Sequence, residues 1–243
     1  MRDYLIDLVR HTHDLGTIDL VKISGDDAGT NINAMATDQT VVLNAKFKDK
    51  INDFSGTFGM PNLNNLKTIL NTQEYVNDAR ITVTRQNRND AEVPVGLHFD
   101  NKTGDFSNDY RFMSQEMVNE KLNVGTFKGA DWDVEFNPTD LNIQRLKMQS
   151  QINPAETKFS TITKDGNLVI SVGDVSTHAG TFVFESNVSG TLNSGWKWPM
   201  TAVIKILSLD GDKTMRISDK GAMEIAVDSG IGEYSYIIPA LSK

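Results

Sequence analysis

The chain of 243 residues contains no cysteine. That absence removes disulfides, thiolate metal sites and cysteine nucleophiles, and it agrees with an intracellular setting. No apolar run approaches the ~20 residues a membrane span requires, and the opening "MRDYLIDLVRHTHD" is too acidic and too interrupted for a signal peptide. The expectation is a cytoplasmic protein with no membrane partner. On that footing the Asn-x-Thr and Asn-x-Ser triplets at Asn101 and Asn187 read as chance matches. Histidine is scarce, with four in all. On a helix His11 and His13 diverge by about 200° and cannot share a metal ion, so the histidines read as solvated or helix-end residues. G-x-S-x-G, the P-loop and G-x-G-x-x-G are all missing.

Two acidic stretches remain as metal candidates. "DWDVEF" (131–136) places Asp131, Asp133 and Glu135 on one face of a strand and Trp132, Val134 and Phe136 on the other, which is the ordinary pattern of a half-buried strand with its acids in water. "DGDK" (210–213) starts like a calcium loop but lacks the later acids and the closing glutamate, so it reads as a turn. With no nucleophile and no base in view, neither an enzyme nor a cofactor is expected.

What is present is an acidic, strand-rich chain. There are 24 Lys and Arg against 32 Asp and Glu, a formal net charge of -8. Net charge favours solubility and argues against a general nucleic-acid coat, without saying how charge is distributed. The length suits two domains of roughly 120 residues, each able to bury a core. Alternating segments bounded by Gly, Asn, Asp or Pro predict strands at 18–24, 40–48, 79–86, 93–100, 167–174 and 180–188. Met223, Ile225 and Val227 alternate before "SGIG", and Tyr234, Tyr236 and Ile238 alternate after it, as in a hairpin.

Four segments carry a helical period instead. Residues 2–14 place Leu5, Leu8, Val9 and Thr12 on one face. Residues 61–71 open with Pro61 and carry Leu63, Leu66 and Leu70. Residues 138–151 open with "NPTD", a well-signalled start with Asn137 as cap and Pro138 in the first position. In "WKWPMTAVIKILSL" (196–209), Met200, Val203, Ile204 and Leu207 form an apolar stripe and Lys205 points away from it. A shift of 138 positions lays these helices on one another: Pro61 on Pro199, Lys67 on Lys205, Leu5 on Ile143, Leu8 on Leu146. Each half then reads helix, strands, helix, strands. The expected organisation is residues 1–112 and 131–243 as two similar domains, with the aperiodic stretch 113–130 connecting them.

Helices laid on a sheet by their apolar stripes leave the opposite faces free. Those faces carry Thr201 and Lys205; Lys67 with Asn64, Asn65 and Thr68; Lys147 with Gln144 and Gln151; and Arg10 beside Asp3, Asp7 and Asp14. Such faces are either plain solvated surface or a surface of Lys, Asn, Gln and Thr that touches phosphates through charge and water without reading bases.

Taken together, "DFSGTFGMPNLNNLKTIL" with "NDARITV", "NPTDLNIQRLKMQ" leading to "FSTITKDGNLVIS", and "KWPMTAVIKILSLDGDKTMRIS" with the terminal "GEYSYIIPAL" resemble the bacteriophage sliding clamps. These are DNA polymerase processivity factors related in architecture to proliferating cell nuclear antigen. The resemblance spans essentially the whole chain and rests on element order and loose consensus. It implies an α+β fold of two similar clamp domains, with antiparallel sheets and two short helices each, closed into a ring as a homotrimer. It further implies a non-catalytic function: encircling double-stranded DNA, tethering a DNA polymerase and being loaded by an ATP-driven clamp loader. Residues carried over as facing DNA are Lys67, Lys147 and Lys205, then Arg2, Arg10 and Arg145; the spread of Leu141, Ile143, Leu146 and Met148 around their helix leaves open whether Arg145 or Lys147 faces inward. A pocket for partner peptides is carried onto Leu122, Val124 and Phe127 with Ile238, Pro239 and Leu241. For subunit pairing, 180–188 and 40–48 are the candidate edges. An oligomeric virion or other structural protein with no DNA passage stays open beside this reading.

Overall fold

The computed structural model describes residues 1–88, 91–122, 129–174 and 178–242. The chain divides into two compact units, one made of Met1–Gly125 with Ser229–Tyr234, the other of Thr126–Asp228 with Ser235–Lys243.

In the first unit, α1 (Arg2–Arg10) is followed by β1 (Leu20–Asp26), β2 (Gly29–Met35), β3 (Val42–Phe47) and β4 (Gly56–Pro61). These four strands are ordered β4-β1-β2-β3 and antiparallel throughout. Next come α2 (Leu63–Asn71) and the three-stranded antiparallel sheet β5 (Arg80–Arg88), β6 (Ala91–Asp100) and β7 (Ser107–Arg111). The helices form for the reasons their stripes suggest: Leu5, Leu8 and Val9 of α1 and Leu63, Leu66 and Leu70 of α2 are buried. The two helices pack on each other. Residues 40–48 are not a free edge, because the outer side of β3 is met within this unit by the returning C-terminal segment, where Lys48 N donates to Ile231 O. That is a correction to one of the two candidate pairing edges.

A third helix, α3 (Gln115–Lys121), lies in the stretch expected as aperiodic connector. Ser114 caps it, and Val118 is fully buried beneath it. Gly59 of β4 permits that approach, since a Cβ there would sit 2.8 Å from a Val118 methyl. Two turns with one anchoring side chain are too short to show a period.

The second unit repeats the plan. It contains β8 (Val134–Phe136), α4 (Asp140–Ile152), β9 (Lys158–Lys164), β10 (Asn167–Val172), β11 (Gly180–Glu185), β12 (Lys197–Pro199), α5 (Met200–Leu207), β13 (Asp212–Ser218), β14 (Ala222–Asp228) and, from Ser235 on, β15 (Gly232–Pro239), whose first residues belong to the first unit. Strand order is β11-β10-β9-β12 in one sheet and β15-β14-β13-β8 in the other. Shifted by 138, β1 falls on β9 and β3 on β11 end for end, and the order β4-β1-β2-β3 becomes β12-β9-β10-β11. Alternation gives the expected result at the C-terminus: Met223, Ile225, Val227, Tyr234, Tyr236 and Ile238 are all buried. On α5 the buried residues are Met200, Val203, Ile206 and Leu207, so the stripe is centred on Ile206 rather than Ile204.

Among the described residues no helix is long and apolar enough to cross a membrane.

Candidate nucleic-acid interface

Each unit presents one helix pair, α1 with α2 and α4 with α5. On α2, Asn64, Asn65 and Thr68 are exposed, and Lys67 is half-exposed with its ammonium 2.8 Å from Asp14. On α5, Thr201 and Lys205 are exposed opposite the buried stripe. On α1, Arg10 is exposed at the last turn. Arg2 is not a free cation: its guanidinium donates to Leu70 O at 2.8 Å and Tyr75 O at 3.1 Å, closing off the C-terminal end of α2. A positive group at a helix C-terminus meets unpaired carbonyls and the negative end of the dipole, so the Arg2 guanidinium is already engaged within its own unit.

The burial of α4 shows how its apolar residues are divided. Asn142, Ile143 and Leu146 form the buried face. Arg145 is exposed on the opposite face and Lys147 is half-buried on the flank. Leu141, Met148 and Ile152 share the Arg145 face and are 56, 54 and 69 % exposed. A second apolar stripe on the solvent side of a helix is unusual for a surface that only meets water, and it explains why the helical period was faint there. Beside Lys147 a groove of about 320 Å³ runs between α4 and the turn after α5, with Asp140, Gln144, Ser208, Asp210 and Lys213 among its walls. Lys213 donates to Gly211 O at 2.8 Å. Burial lowers its pKa; Asp140, Asp210 and Asp212 oppose the shift and Lys147 adds to it.

Other expected site residues fall as follows. Leu122, in the first unit, is half-buried; Pro239 and Leu241, in the second, are exposed. Val124 and Phe127 lie outside the described residues. Ile238 is fully buried, as its place in the alternating run dictates, so it belongs to the core and not to an open pocket. The tail carrying Leu241 is pinned along β12, Leu241 N donating to Lys197 O at 2.9 Å.

The acids of the 131–136 strand are engaged in structure. Asp131 pairs with Lys220, Glu135 with Arg216, and Asp133 accepts from Asp219 N. No cluster of three or more His, Cys, Asp or Glu suited to a metal occurs among the described residues. His98 sits 2.8 Å from Asp109 and 3.1 Å from Asp100, and the hydrogen bond to Asp109 is the chief cause of its raised pKa. His11 departs from the solvated reading: it caps the end of α1 but is buried, stacked on Tyr234 with ring centroids 4.3 Å apart. Beside it, Asp7 is only 7 % exposed and accepts from Tyr234 Oη at 2.7 Å and Ser229 Oγ at 2.9 Å, with His11 Nδ1 3.3 Å away. Burial pushes the Asp7 carboxyl up, but His11, Tyr234 and Ser229 outweigh it and the net pKa lies below the ordinary carboxylate value. Asn101 is buried, and its side-chain nitrogen donates to Glu74 and Asp105, which makes it a poor glycan acceptor.

Two sheet edges bear apolar side chains at or beside them. One is β11, with Val183 exposed on it and α4 packed next to it. The other is β7, preceded by exposed Phe106 and flanked by α2. Sequence alternation marked the first and missed the second, whose residues "SNDYR" are mostly polar.

Comparison with solved structures places this architecture. The chain aligns over 100 % of its length, and 97 % of the other chain, with a structure of the C-terminal region of FEN-1 bound to A. fulgidus PCNA, at a TM-score of 0.71 and 8 % identity. It aligns over 98 %, and 96 % of the other chain, with the PCNA2-PCNA3 complex from Sulfolobus tokodaii, at a TM-score of 0.63 and 10 % identity. The fold is that of proliferating cell nuclear antigen over the full chain. No protein-family model and no curated protein sequence matches it.

Proposed function

We propose that this chain is a sliding clamp of the bacteriophage type: a non-catalytic homotrimeric ring that encircles duplex DNA and holds a replicative polymerase to its template after an ATP-driven loader has closed it. The observation that carries the reading is the repeat, in which a helix, four strands and a second helix recur at a shift of 138 residues and a further antiparallel sheet follows in each unit, in a chain that aligns end to end with clamp structures. Six such units from three copies close a ring without any new element. Head-to-tail contacts between unlike surfaces generate rings when the rotation closes, and β11 with α4 in one copy against β7 in the next would join two apolar-bearing edges that sequential strands do not cover.

In this arrangement Lys67, Lys147, Lys205, Arg10 and Arg145 face the duplex, with Arg2 contributing least because its guanidinium is occupied. An acidic body repels DNA from the outside, while a few cations inside make diffuse, salt-sensitive phosphate contacts. Weak contact is a requirement for sliding, and enclosure supplies the retention. Leu122 in the first unit and, separately, Pro239 and Leu241 in the second are the candidate contacts for partner peptides, a role supported by the FEN-1 segment bound to the A. fulgidus protein.

The test is primer extension with the cognate polymerase and loader. Lys67→Glu combined with Lys205→Glu is expected to shorten product length while leaving the assembly trimeric; unchanged extension overturns the assignment of those lysines.

A further inference from the structure

The three-stranded sheet carries a row of charge that the proposed function leaves unused. Its central strand β6 presents His98 and Asp100 on the face opposite the buried Leu97 and Phe99. In register, Arg80 of β5 stands across from Asp100, and Asp109 of β7 stands across from His98. The Arg80 guanidinium lies 3.0 Å from Asp100 Oδ2. His98 fills the space between the two carboxylates, with Nε2 3.1 Å from Asp100 Oδ1 and Nδ1 2.8 Å from Asp109 Oδ1. Both ring nitrogens thus face an oxygen that, in an ionised carboxylate, can only accept. A neutral imidazole has one N–H and one lone pair, so it serves one carboxylate and turns a lone pair on the other. Only the imidazolium donates to both. Beyond this row, Arg111 follows Asp109 on the same face of β7, opposite Gly96, and Thr82, the partner of His98 on β5, is uncharged.

We propose that His98 is a protonation switch on the edge strand β7: its imidazolium ties β7 to β6, and loss of the proton loosens that strand and weakens any pairing made through it. Asp100 keeps Arg80 when the proton leaves, whereas Asp109 loses the cation it is paired with, so the cost falls on β7. The hydrogen bond to Asp109 is the largest influence on the His98 pKa and raises it; burial opposes the shift, and Asp100 supports it. With the folded value above the ordinary 6.5, the contact is fully present below that ordinary value and is lost as pH rises through the folded one. The strand is therefore held more firmly in mild acid than in mild alkali. Since the His98 and Asp109 side chains are 33 % and 56 % exposed, the response is graded and not all-or-none. The effect on pairing rests on the reading of β7 as a subunit edge; the lock itself belongs to one sheet of one chain.

The experiment is amide hydrogen exchange of the full chain at about pH 6 and about pH 8.5, on either side of the histidine range, with rates corrected for the intrinsic effect of pH. An NMR titration of the His98 ring accompanies it. Protection of the β7 amides is expected to fall about two- to fivefold between the two conditions, the scale of an exposed ion pair, while the β9–β10 ladder holds steady. His98→Gln keeps a donor but cannot titrate, so its β7 protection should not vary with pH. Asp109→Asn should lower the His98 midpoint and flatten the profile. Should either variant fail to fold, the wild-type profile and the ring titration decide the matter on their own. Flat β7 protection in the wild type, a His98 midpoint at or below about 6.5, or an undiminished slope in His98→Gln would each overturn the inference. Sedimentation of the same samples keeps it distinct from the clamp reading. A chain that stays single at both pH values while β7 responds contradicts the ring and leaves the lock standing; a trimer whose β7 is indifferent to pH does the reverse.

Discussion

The two units share a frame and differ in what they do with it. Leu8 and Leu146, 138 positions apart, are both fully buried, and the strands around them keep the same order. Yet the pair Asp7 and Arg145, also 138 apart, has opposite fates. Asp7 is drawn into the interior by Tyr234, Ser229 and His11, while Arg145 stands in water between exposed Leu141 and Met148. Core positions repeat because a sheet with a helix on it must bury one stripe at one spacing. Surface positions are released from that constraint, so each unit is free to commit its outer helix face to a different neighbour.

That contrast is open to direct attack. The largest effect belongs to the shared core: Leu8→Ala and Leu146→Ala should each destabilise by about 2–5 kcal/mol, read from denaturant midpoints, and a cost confined to one of them would mean that only one unit is held by its helix. Next comes the pair that should not match. Asp7→Asn is expected to cost about 1–3 kcal/mol at neutral pH because it unbalances a buried hydrogen-bonded network, whereas Arg145→Gln, at an exposed position, should leave the midpoint within about 0.5 kcal/mol. The pH dependence fixes the sign. Asp7 has a depressed pKa in the folded chain, so its contribution is fully present above the unfolded value of about 3.9 and is lost as pH falls through the folded value. Wild type and Asp7→Asn should therefore converge in stability under strong acid; a gap that persists there refutes the network. The smallest effect is at Lys67, whose half-exposed pair with Asp14 should contribute less than about 1 kcal/mol, so Lys67→Met should barely move a thermal melt.

Much of this was legible in the residues, for reasons that differ by element. Where burial and period coincide, as in Leu63, Leu66 and Leu70 or in the alternation from Met223 to Val227, pattern reads directly into structure. The 138-residue shift was visible in the helices alone and extends to β1 on β9 and β3 on β11. Legibility failed where tertiary contacts override local pattern. The β7 strand carries mostly polar residues and forms because β6 offers it a ladder; α3 is anchored by one valine against one glycine; His11 is polar in sequence and buried in fact because Tyr234, distant along the chain, stacks on it. The same limit applies to Arg2, which counts as a cation in composition but is consumed by the carbonyls at the end of α2. Ile238 was placed in a pocket despite lying in an alternating run, and the alternation was the better guide.

The central claim, that the repeated unit exists to build a closed ring, is tested most directly by the mass of the protein in solution, measured by sedimentation equilibrium or light scattering across a range of concentrations. The account predicts a species of three times the 26.9 kDa chain that weakens when Val183 and Phe106, exposed at the two proposed pairing edges, are changed to polar residues. A protein that stays at the mass of one chain at every concentration, with those two apolar side chains left in water, would contradict it.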